Sequence, residues 1–506
     1  MARALPLFPL FPLFPLFPLF PLLMLLPACG LQMTPSDPSR SADRPDPGGI
    51  LSGPRAVARG GTFLGFPERF NRYYTDAGYA PSRTRYASEA GAGDGATREA
   101  PMRADAAIRE ARPGDAIVFV RGQPPIRACY ELTSGGTLDA PVVIRAERNP
   151  DGTRGVEIRC CDTGRATCFN LEGASHVAIE GFVLTGGKYG VRAVGLGYGA
   201  SEHQLGVAML DMEGRDQSKD PFFSGQSDWL VVQGNVAHGA GEGDGHGIYL
   251  SNGSDWNIVR NNETYENSSS DLQINADPIS TCEDEGLDVR DRECDGSARD
   301  GLGRGASEYF LVESNYLHDD AIGPNFTSLR NSVVRNNVSV FHRQHNVSFW
   351  QETKNPTLGS HDNLVLHNLF GGTSSRHVVQ FIVDSTRNRV ANNVFVGTDG
   401  QGSSANPSVV VMETDGSVTA NVYEGNAYIG GHLEGRQPAP GEKVQASFDR
   451  AWFQAFAPRV RGDARAFSGK PSSPLWRQGK RLAEAPLDML GLSRSDPTDL
   501  GPFEVK

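Results

Sequence analysis

NIVRNN at residues 257–262 returns along the chain with small changes, as YFLVESN at 309–315, SVVRNN at 332–337, NLVLHN at 363–368 and NRVANN at 388–393. Each copy is a short β-branched run that ends in an asparagine turn. Counted outward from these copies, the turn asparagines are separated by 27, 53, 22, 31, 25 and 33 residues, at Asn235, Asn262, Asn315, Asn337, Asn368, Asn393 and Asn426. A period of roughly 20–30 residues built from strands and turns alone predicts an all-β solenoid. Asparagine suits such a corner because it tolerates the left-handed conformation and can bond neighbouring backbone.

A second strand belongs to each repeat. Its copies are HGIYL at 246–250, SDLQI at 270–274, PNFTS at 324–328, HNVSF at 345–349, HVVQF at 377–381 and PSVVV at 407–411. Successive side chains of a strand point to opposite faces, so alternation sends one set inward: Ile248, Leu250, Leu272, Ile274, Val347, Phe349, Val379 and Phe381. Stacked coils would then bury a continuous apolar column. At about 25 cal/mol per Å², this burial is expected to dominate the stability.

Composition narrows the class of protein. The 506 residues carry a formal charge of −12, with 38% hydrophobic and 21% charged residues, which suits a folded core. The 59 glycines and 33 prolines indicate many turns rather than a helical bundle. The acidic balance argues against a nucleic acid partner. After the N-terminal segment, no apolar run reaches the 18 or more residues of a membrane span, which excludes a polytopic membrane protein.

The N-terminus is predicted to direct export. Residues 1–28 have a basic Arg3 followed by an apolar, proline-rich stretch, as in a signal peptide. The sequence LPACG at 26–30 resembles a bacterial lipoprotein signal, in which Cys29 would be lipidated; an ordinary signal peptide with a chance cysteine is the alternative. Residues 29–60 are rich in Pro, Ser, Asp, Arg and Gly, which predicts a flexible tether. The chain is therefore expected in the cell envelope, anchored by lipid, or outside the cell.

Six cysteines follow Cys29, an even number that predicts disulfides in an exported protein. Cys282 and Cys294 are the most plausible pair, because they would close an otherwise irregular loop. The other four lie within 40 residues of one another and their pairing stays open: Cys129, Cys160, Cys161 and Cys168.

The repeats resemble those of the right-handed parallel β-helix superfamily, the pectate-lyase-like proteins, over residues 61–430. The ends fit as well. MRADAAIREAR at 102–112 resembles the family's N-terminal capping helix, and DPTDLGPFE at 496–504 resembles a closing segment within an irregular C-terminal cap at 431–506. The resemblance implies that a polysaccharide would lie along the outer face of one sheet.

Alternation supplies the side chains expected on that face. One outward column holds Tyr249, Gln273, Ser348 and Gln380, and the next holds Ser251, Asn275, Trp350 and Ile382. Acidic residues follow the strand ends at Asp277, Glu352 and Asp384, and His345 precedes a strand. Aromatic faces stack on sugar rings and fixed polar groups orient them. We therefore expect Gln273, Asn275, His345, Trp350, Glu352 and Asp384 to bind substrate; a solvated polar sheet face is the alternative.

His246 is the best candidate base, since it lies in EGDGHGIY at 242–249 beside two carboxylates and a phenol. Tyr249 or Arg260 would then donate a proton or stabilise charge. A purely structural role for the histidines is the competing interpretation. Gly245-His246-Gly247 resembles a polygalacturonase motif, but the preceding coils lack the Asn-Thr-Asp and Asp-Asp elements of those hydrolases, and the Asp-Pro-His of mannuronan epimerases is absent from the sequence.

An acidic insertion at residues 279–306 follows the strand at 270–274 and would overhang the face. Its DRECDG at 291–296 resembles the start of a calcium loop, but the twelfth position is Leu302 and the EF-hand pattern fails. Ca²⁺ is therefore a possible cofactor, held by Asp271, Asp277, Asp291, Glu293 and Asp295; a solvated, disulfide-stapled loop is the alternative. The resemblance implies that Ca²⁺ would neutralise a uronate carboxylate before a Lys, Arg or His base removes the C5 proton. The cationic residues expected near the face are Lys188, Arg260, Arg304 and Arg343.

These patterns predict a carbohydrate-active surface protein, in particular a polysaccharide lyase-like enzyme that cleaves uronate-containing glycans by β-elimination. A non-enzymatic glycan-binding adhesin is the competing class, because no lyase, hydrolase or esterase signature is complete. A structural stalk would show no groove at all.

Overall fold

The computed structural model describes residues 72–75, 79–160, 166–241, 243–284, 286–290, 305–353, 355–372, 376–397, 409–413, 418–445 and 447–505. Within these residues the chain forms a right-handed parallel β-helix, as the repeats predict. The predicted signal peptide at 1–28, Cys29 and the predicted tether at 29–60 lie outside the described residues. So do Asp291, Glu293, Cys294 and Asp295.

Three long parallel sheets form the walls of the helix. In spatial order, sheet A contains Met102–Arg103, Arg83–Ser88, Asp115–Phe119, Val142–Ala146, Val177–Glu180, Ala208–Leu210, Val231–Gln233, Ile258–Arg260, Leu311–Glu313, Val333–Arg335, Leu364–Leu366, Arg389–Ala391 and Val422–Glu424. Sheet B contains Ile126–Arg127, Glu157–Arg159, Val183–Thr185, Glu213–Arg215, Val236–His238, Glu263–Tyr265, Tyr316–His318, Val338–Val340, Leu369–Gly371, Val394–Val396, Ala427–Ile429 and Lys443–Gln445.

Sheet C carries the second strand of each repeat. Its strands are Tyr130–Glu131, Thr167–Asn170, Tyr189–Val194, Asp220–Gly225, Ile248–Ser251, Leu272–Asn275, Asn325–Thr327, Val347–Trp350, Val379–Phe381, Val409–Met412 and His432–Glu434. Two short ladders pair Gln204–Leu205 with Ser227–Asp228 and Ser307–Glu308 with Leu329–Arg330. Each coil therefore runs from sheet A through sheet B to sheet C.

At the corner between sheets A and B, one residue makes the hydrogen bonds between coils and the residue before it has the left-handed conformation. The ladder asparagine bonds the next coil: Asn337 backbone N–H and Nδ2 both donate to Asn368 Oδ1, each at 2.9 Å. The left-handed conformation belongs to the residue before it, as at Asn336 (φ 57°) and His367 (φ 53°). The sequence interpretation assigned both tasks to one asparagine. The division leaves the ladder side chain free to point into the coil.

The interior is the predicted apolar column. All eight residues that alternation sends inward are at most 1% exposed. Phe349 stacks between Phe326 and Phe381, with ring centroids 5.1 and 4.8 Å apart. Such close packing of identical rings from successive coils fixes the register of sheet C and hence the positions of the side chains on its outer face.

Short helices lie at the ends and in the loops: Arg72–Thr75, Ala104–Arg109 and Pro278–Asp284, with 3₁₀ turns at Ala200–Glu202, Pro356–Leu358, Arg450–Trp452 and Ala464–Phe467. The capping helix is shorter than the predicted 102–112, because Met102 and Arg103 pair with Ala87 and Ser88 in sheet A. Ala104, Ala107 and Ile108 nevertheless cover the end of the apolar column. No helix among the described residues is long and apolar enough to cross a bilayer.

Terminal segments cover the outer faces of sheets A and B. Tyr74 of the first helix donates to Gln233 Oε1 at 2.9 Å, and both its ring and that of Tyr73 pack on apolar side chains of sheet A. Residues 447–505 lie along sheet B, where Phe453, Phe467 and other aromatic side chains join the strand residues in a second apolar cluster. Strands continue past residue 430 to Gln445, so the solenoid is longer than its visible repeats.

Candidate functional site

The outer face of sheet C, here called the groove face, presents a row of polar and aromatic side chains. The ladder register places Phe223, Tyr249, Gln273, Asn325, Ser348 and Gln380 at matching positions in successive coils. The next outward column contains Ser251, Asn275, Thr327 and Trp350. The two columns predicted from alternation are thus present. Asn325 belongs to the first, although the sequence alignment set its strand two residues out of register.

Asn325 links the two columns. Its Nδ2 donates to Gln273 Oε1 at 2.8 Å, and its Oδ1 accepts from Trp350 Nε1 at 2.8 Å. Gln380 Nε2 likewise donates to Ser348 Oγ at 2.6 Å. These bonds hold the amides and the indole in fixed orientations, and each ring nitrogen or amide that is already bonded has less capacity left for a ligand. Asn325 could have been predicted to face outward from the sequence, because it directly precedes Phe326, whose side chain points inward.

Acidic side chains meet at the carboxyl ends of the sheet C strands. Asn275 Nδ2 donates to Glu352 Oε1 at 2.7 Å, across 77 residues of sequence, while Asn275 Oδ1 accepts from the Asp277 backbone N–H at 2.9 Å. Desolvation, with the nearby charge of Asp277, raises the pKa of Glu352. Tyr249 completes the group, here called the carboxylate cluster: Tyr249, Asn275, Asp277 and Glu352.

Tyr249 stays protonated over the physiological range. Burial raises the pKa of its phenol to about 12; the hydroxyl of Ser251, 3.4 Å from the phenol oxygen, acts in the opposite direction, and Asp277 adds to the rise. Its ring contacts those of His246 and Phe223 edge-on, with centroids 4.9 and 5.3 Å apart. The phenol can therefore donate a proton or a hydrogen bond beside two carboxyl groups.

His246, the predicted base, is engaged in the architecture. Its Nδ1 accepts a hydrogen bond from the Ser270 backbone N–H at 3.2 Å, and the side chain is buried. In this tautomer Nε2 carries the proton and lies 3.9 Å from the Asp244 carboxylate. Burial lowers the pKa of His246 to about 4, so the ring is neutral near neutrality. A neutral imidazole whose accepting nitrogen is already bonded has no lone pair to offer a substrate.

Arg260 lies on a different sheet from Tyr249. It occupies the outer face of sheet A, where its Nε donates to Gln233 Oε1 at 2.6 Å and its guanidinium pairs with Glu313 at 3.4 Å and bonds Tyr74. These contacts fasten the first helix to the solenoid. The structure therefore does not bring Arg260 to the groove face, because adjacent strands of one coil face outward in different directions.

Two further predicted site residues point away from the groove. Asp271 is fully buried, accepts from Thr264 Oγ1 at 2.6 Å and lies 3.2 Å from His342 Nδ1, so it is not beside Asp277 on the surface. His345 is 4% exposed and stacks on His377, with ring centroids 5.7 Å apart. Burial lowers the pKa of His345 to about 3. Both residues lie before the first residue of their strand, at Leu272 and Val347, so the alternation of strand residues could not predict where their side chains point.

The remaining candidates lie near the strand ends. Asp384 accepts a hydrogen bond at 2.7 Å from Nε2 of Gln351, the residue that precedes Glu352 in the sequence. The insertion begins with the helix Pro278–Asp284, where the prediction had an irregular loop. Cys282 is disulfide-bonded and buried with Leu358, which ties the insertion to the loop that carries Glu352.

A second feature lies near the other end of the groove face. Glu131, Asn170, Lys188, Tyr189 and Arg192 line a pocket of about 510 Å³, together with Cys129, Ala166 and Thr167. Cys160 and Cys168 form a disulfide beside it, one of the pairings that the sequence left open. The Tyr189 ring stacks on Phe223 at 4.9 Å, so the pocket continues into the aromatic end of the outward column.

Metal binding requires several ligating side chains close together. Within the described ranges, no group of three or more His, Cys, Asp or Glu side chains has an arrangement that could hold a metal ion. Asp277 and Glu352 carry oxygen donors of the type that Ca²⁺ prefers, and neither makes an ion pair with a described residue.

Comparison with known proteins identifies the fold. Neither a protein-family model nor a curated protein sequence matches the chain. Among solved structures, pectate lyase Pel9A matches with a TM-score of 0.55 and 12% identity, covering 85% of this chain and 98% of its own. A rhamnogalacturonan lyase (TM-score 0.48, 11% identity, 81% and 99% covered) and an alginate lyase from Paenibacillus sp. str. FPU-7 (0.42, 13%, 72% and 98%) are also similar. At these identities the likeness concerns the fold, and the chain is a right-handed parallel β-helix protein with the pectate-lyase-like architecture.

Proposed function

We propose that this protein acts on a carbohydrate polymer bound along the groove face, as a polysaccharide lyase-like enzyme that cleaves uronate-containing glycans by β-elimination. The names of the structural neighbours, among them pectate, rhamnogalacturonan and alginate lyases, support a carbohydrate-active β-helix protein. The finer assignment is supported by one observation on this chain. Tyr249, Asn275, Asp277 and Glu352 converge at the strand ends of sheet C, from three different coils.

The carboxylate cluster contains the groups that β-elimination needs. The reaction removes the proton next to the uronate carboxylate, stabilises the resulting charge and protonates the leaving oxygen. Tyr249 is the proton donor, because its raised pKa keeps the phenol protonated until it faces a developing alkoxide. The Asn275 amide donates to the uronate carboxylate, beside Glu352, whose pKa is raised by desolvation and by the charge of Asp277. Asp277 accepts the proton.

The carboxyl groups of Asp277 and Glu352 carry oxygen donors of the type that a divalent cation prefers. They would hold Ca²⁺, and the bound ion would neutralise the uronate carboxylate that the Asn275 amide otherwise addresses. Loss of activity in a chelator and its return with Ca²⁺ would distinguish the metal-assisted form from the metal-free one.

The test uses the mature chain and a panel of acidic and neutral polysaccharides. Ultraviolet absorbance reports the unsaturated uronate that elimination produces, and a reducing-end assay reports any cleavage. Tyr249→Phe is expected to lower kcat by roughly 10²–10⁴-fold, the usual contribution of a general acid. Tyr309→Phe, which removes a phenol hydroxyl just before the sheet A strand Leu311–Glu313 and outside the groove face, is the matched control and should retain activity. Full activity of Tyr249→Phe would refute the assignment, and new reducing ends without absorbance would indicate hydrolysis instead.

Glycan binding without cleavage is the second candidate. The engagement of His246 Nδ1 by the Ser270 backbone favours it, as does the mutual bonding of Gln273, Asn325 and Trp350, because both leave fewer groups free for chemistry. In this case the chain would retain acidic glycans on an affinity gel and release no product. Trp350→Ala would weaken retention, whereas Glu352→Gln would leave it unchanged.

We also propose export to the cell envelope with a lipid anchor at Cys29. The LPACG sequence at 26–30 supports this. Cys29→Ser is expected to move the protein from the membrane fraction to the soluble fraction. An unchanged distribution would contradict the proposal of a lipid anchor at Cys29.

A further inference from the structure

The pocket at the N-terminal end of the groove face, here called the Lys188 pocket, contains the ammonium group of Lys188. Lys188 Nζ lies over the Tyr189 ring, 5.1 Å from its centroid, and makes no ion pair with any described carboxylate. Lys188 acts electrostatically on the buried Asp220, whose Oδ1 accepts a hydrogen bond from the His246 backbone N–H at 2.8 Å. The Lys188 ammonium therefore lines the pocket without an ion pair to a described carboxylate.

The next coil has a lysine at the matching position, Lys219, and this lysine makes an ion pair. Lys219 follows Lys188 directly in the stack, because its backbone N–H donates to the Lys188 carbonyl at 3.1 Å. Its Nζ, however, pairs with Asp244 at 3.2 Å. Two neighbouring lysines at one register position thus differ in whether a carboxylate accompanies them.

Arg192 supplies a second set of donors on the pocket wall. Its Nη1 bonds Asn170 Oδ1 at 2.9 Å and Glu172 Oε2 at 3.1 Å, which fixes the guanidinium. The described structure assigns no bond to its Nε or Nη2. The pocket lining therefore holds two cationic side chains, of which Arg192 is paired with Glu172 and Lys188 has no ion pair among the described residues. A guanidinium that is held in place loses little entropy when it binds an anion.

The turn before Lys188 is built against a disulfide. Gly187 has a φ of 73°, and a Cβ at this position would lie 2.5 Å from Cys160 Cβ. Cys160 is bonded to Cys168, and the Lys188 backbone N–H donates to the Ala166 carbonyl at 2.6 Å. These contacts place the lysine backbone firmly at the rim, so that its charge is presented at a defined position.

We propose that the Lys188 pocket binds an acidic substituent of the glycan, a carboxylate or a sulfate ester, while the rest of the polymer extends over Phe223 and Tyr249 toward the carboxylate cluster. The inference rests on the proposed function, since it assigns the same groove face a second contact point. Planar or tetrahedral oxyanions match the combined donors of an ammonium and a guanidinium.

The experiment measures binding to the full mature chain by saturation-transfer nuclear magnetic resonance and by calorimetry. The probes are glucuronate, a sulfated neutral monosaccharide and glucose, followed by an oligouronate. Lys188→Ala is expected to weaken binding of the acidic probes roughly tenfold or more, in line with loss of a charged hydrogen bond, with no change for glucose. Lys219→Ala is the matched control and should bind like the unmodified protein. Preference for one acidic probe identifies carboxylate or sulfate as the ligand.

Equal binding of the acidic probes by Lys188→Ala and the unmodified protein would overturn the proposal, as would no preference over glucose. These outcomes are separate from the fate of the lyase assignment. Acid-selective binding that depends on Lys188, with no cleavage of any polymer, supports the pocket and refutes the enzyme. Cleavage that is lost in Tyr249→Phe but indifferent to Lys188→Ala supports the enzyme and refutes the pocket.

Discussion

Replacement of Asn337 by alanine tests what holds successive coils in register. The Asn337 side chain lies in the middle of the ladder and is buried. Its Oδ1 accepts from the Asn315 backbone N–H at 3.0 Å, and its Nδ2 donates to the Val312 carbonyl at 2.9 Å. The variant leaves both of these backbone groups without their side-chain partner in a region that water does not reach.

The expected loss follows from those two groups. A buried donor or acceptor that loses its partner costs about 1–3 kcal/mol, so the pair costs roughly 2–6 kcal/mol. Since a whole domain is stable by only about 5–15 kcal/mol, a loss of this size is a large fraction of the total. We therefore expect Asn337→Ala to shift the unfolding midpoint strongly.

Urea denaturation followed by circular dichroism measures the free energy of unfolding. The matched control is Asn331→Gly in the same coil. Asn331 has a φ of 49° and no side-chain hydrogen bond among the described residues, so glycine should change the free energy by no more than about 0.5 kcal/mol. If Asn337→Ala loses less than about 1 kcal/mol, or no more than the control, the ladder does not carry the stability assigned to it.

Three other changes have defined outcomes. Phe349→Ala opens a cavity between stacked rings of a fully buried column and should lower the free energy of unfolding by about 3–5 kcal/mol, whereas a loss near that of a surface change would contradict the packing. Burial raises the pKa of Asp220 from 3.8 to about 7, so the folded chain binds this proton more tightly than the unfolded chain, and stability should fall as the pH rises through that window. Asp220→Asn should flatten the pH dependence of the melting temperature there; an unchanged slope would assign it to other groups. A Cys160→Ser, Cys168→Ser double variant should melt at a lower temperature, by the equivalent of about 2–4 kcal/mol, and identical melting would show that the disulfide contributes no stability.

Local periodicity explains why so much of the fold could be predicted from the sequence. Alternation in a strand such as 345–349 is decided by neighbours two residues apart, and Val347 and Phe349 are buried as expected. The 53-residue gap before Asn315 marks the insertion, and the ladder bond from Asn262 to Asn315 at 3.1 Å crosses it without a break. Repetition of one short pattern was therefore enough to establish the coils.

Site residues were predicted less well, since a side chain's role depends on what the next coil places beside it. His246 has the residue type and the acidic neighbours of a base, yet the backbone of Ser270 occupies its accepting nitrogen. Arg260 lies eleven residues after Tyr249 in sequence and on another sheet. Neither fact has a signal in the local sequence.

Alternation of strand residues and turn chemistry within a single repeat were enough to predict the solenoid, its apolar column and the two outward columns of sheet C. Which polar groups meet depends instead on how the coils stack. Asn275 reaches Glu352 across 77 residues, and Lys219 pairs with Asp244 whereas Lys188, in the preceding coil, has no ion pair among the described residues. Such contacts depend on the lengths of the loops between coils, because those lengths determine which residues are stacked. A repeat pattern does not encode the side-chain geometry of two loops that meet only in the folded solenoid.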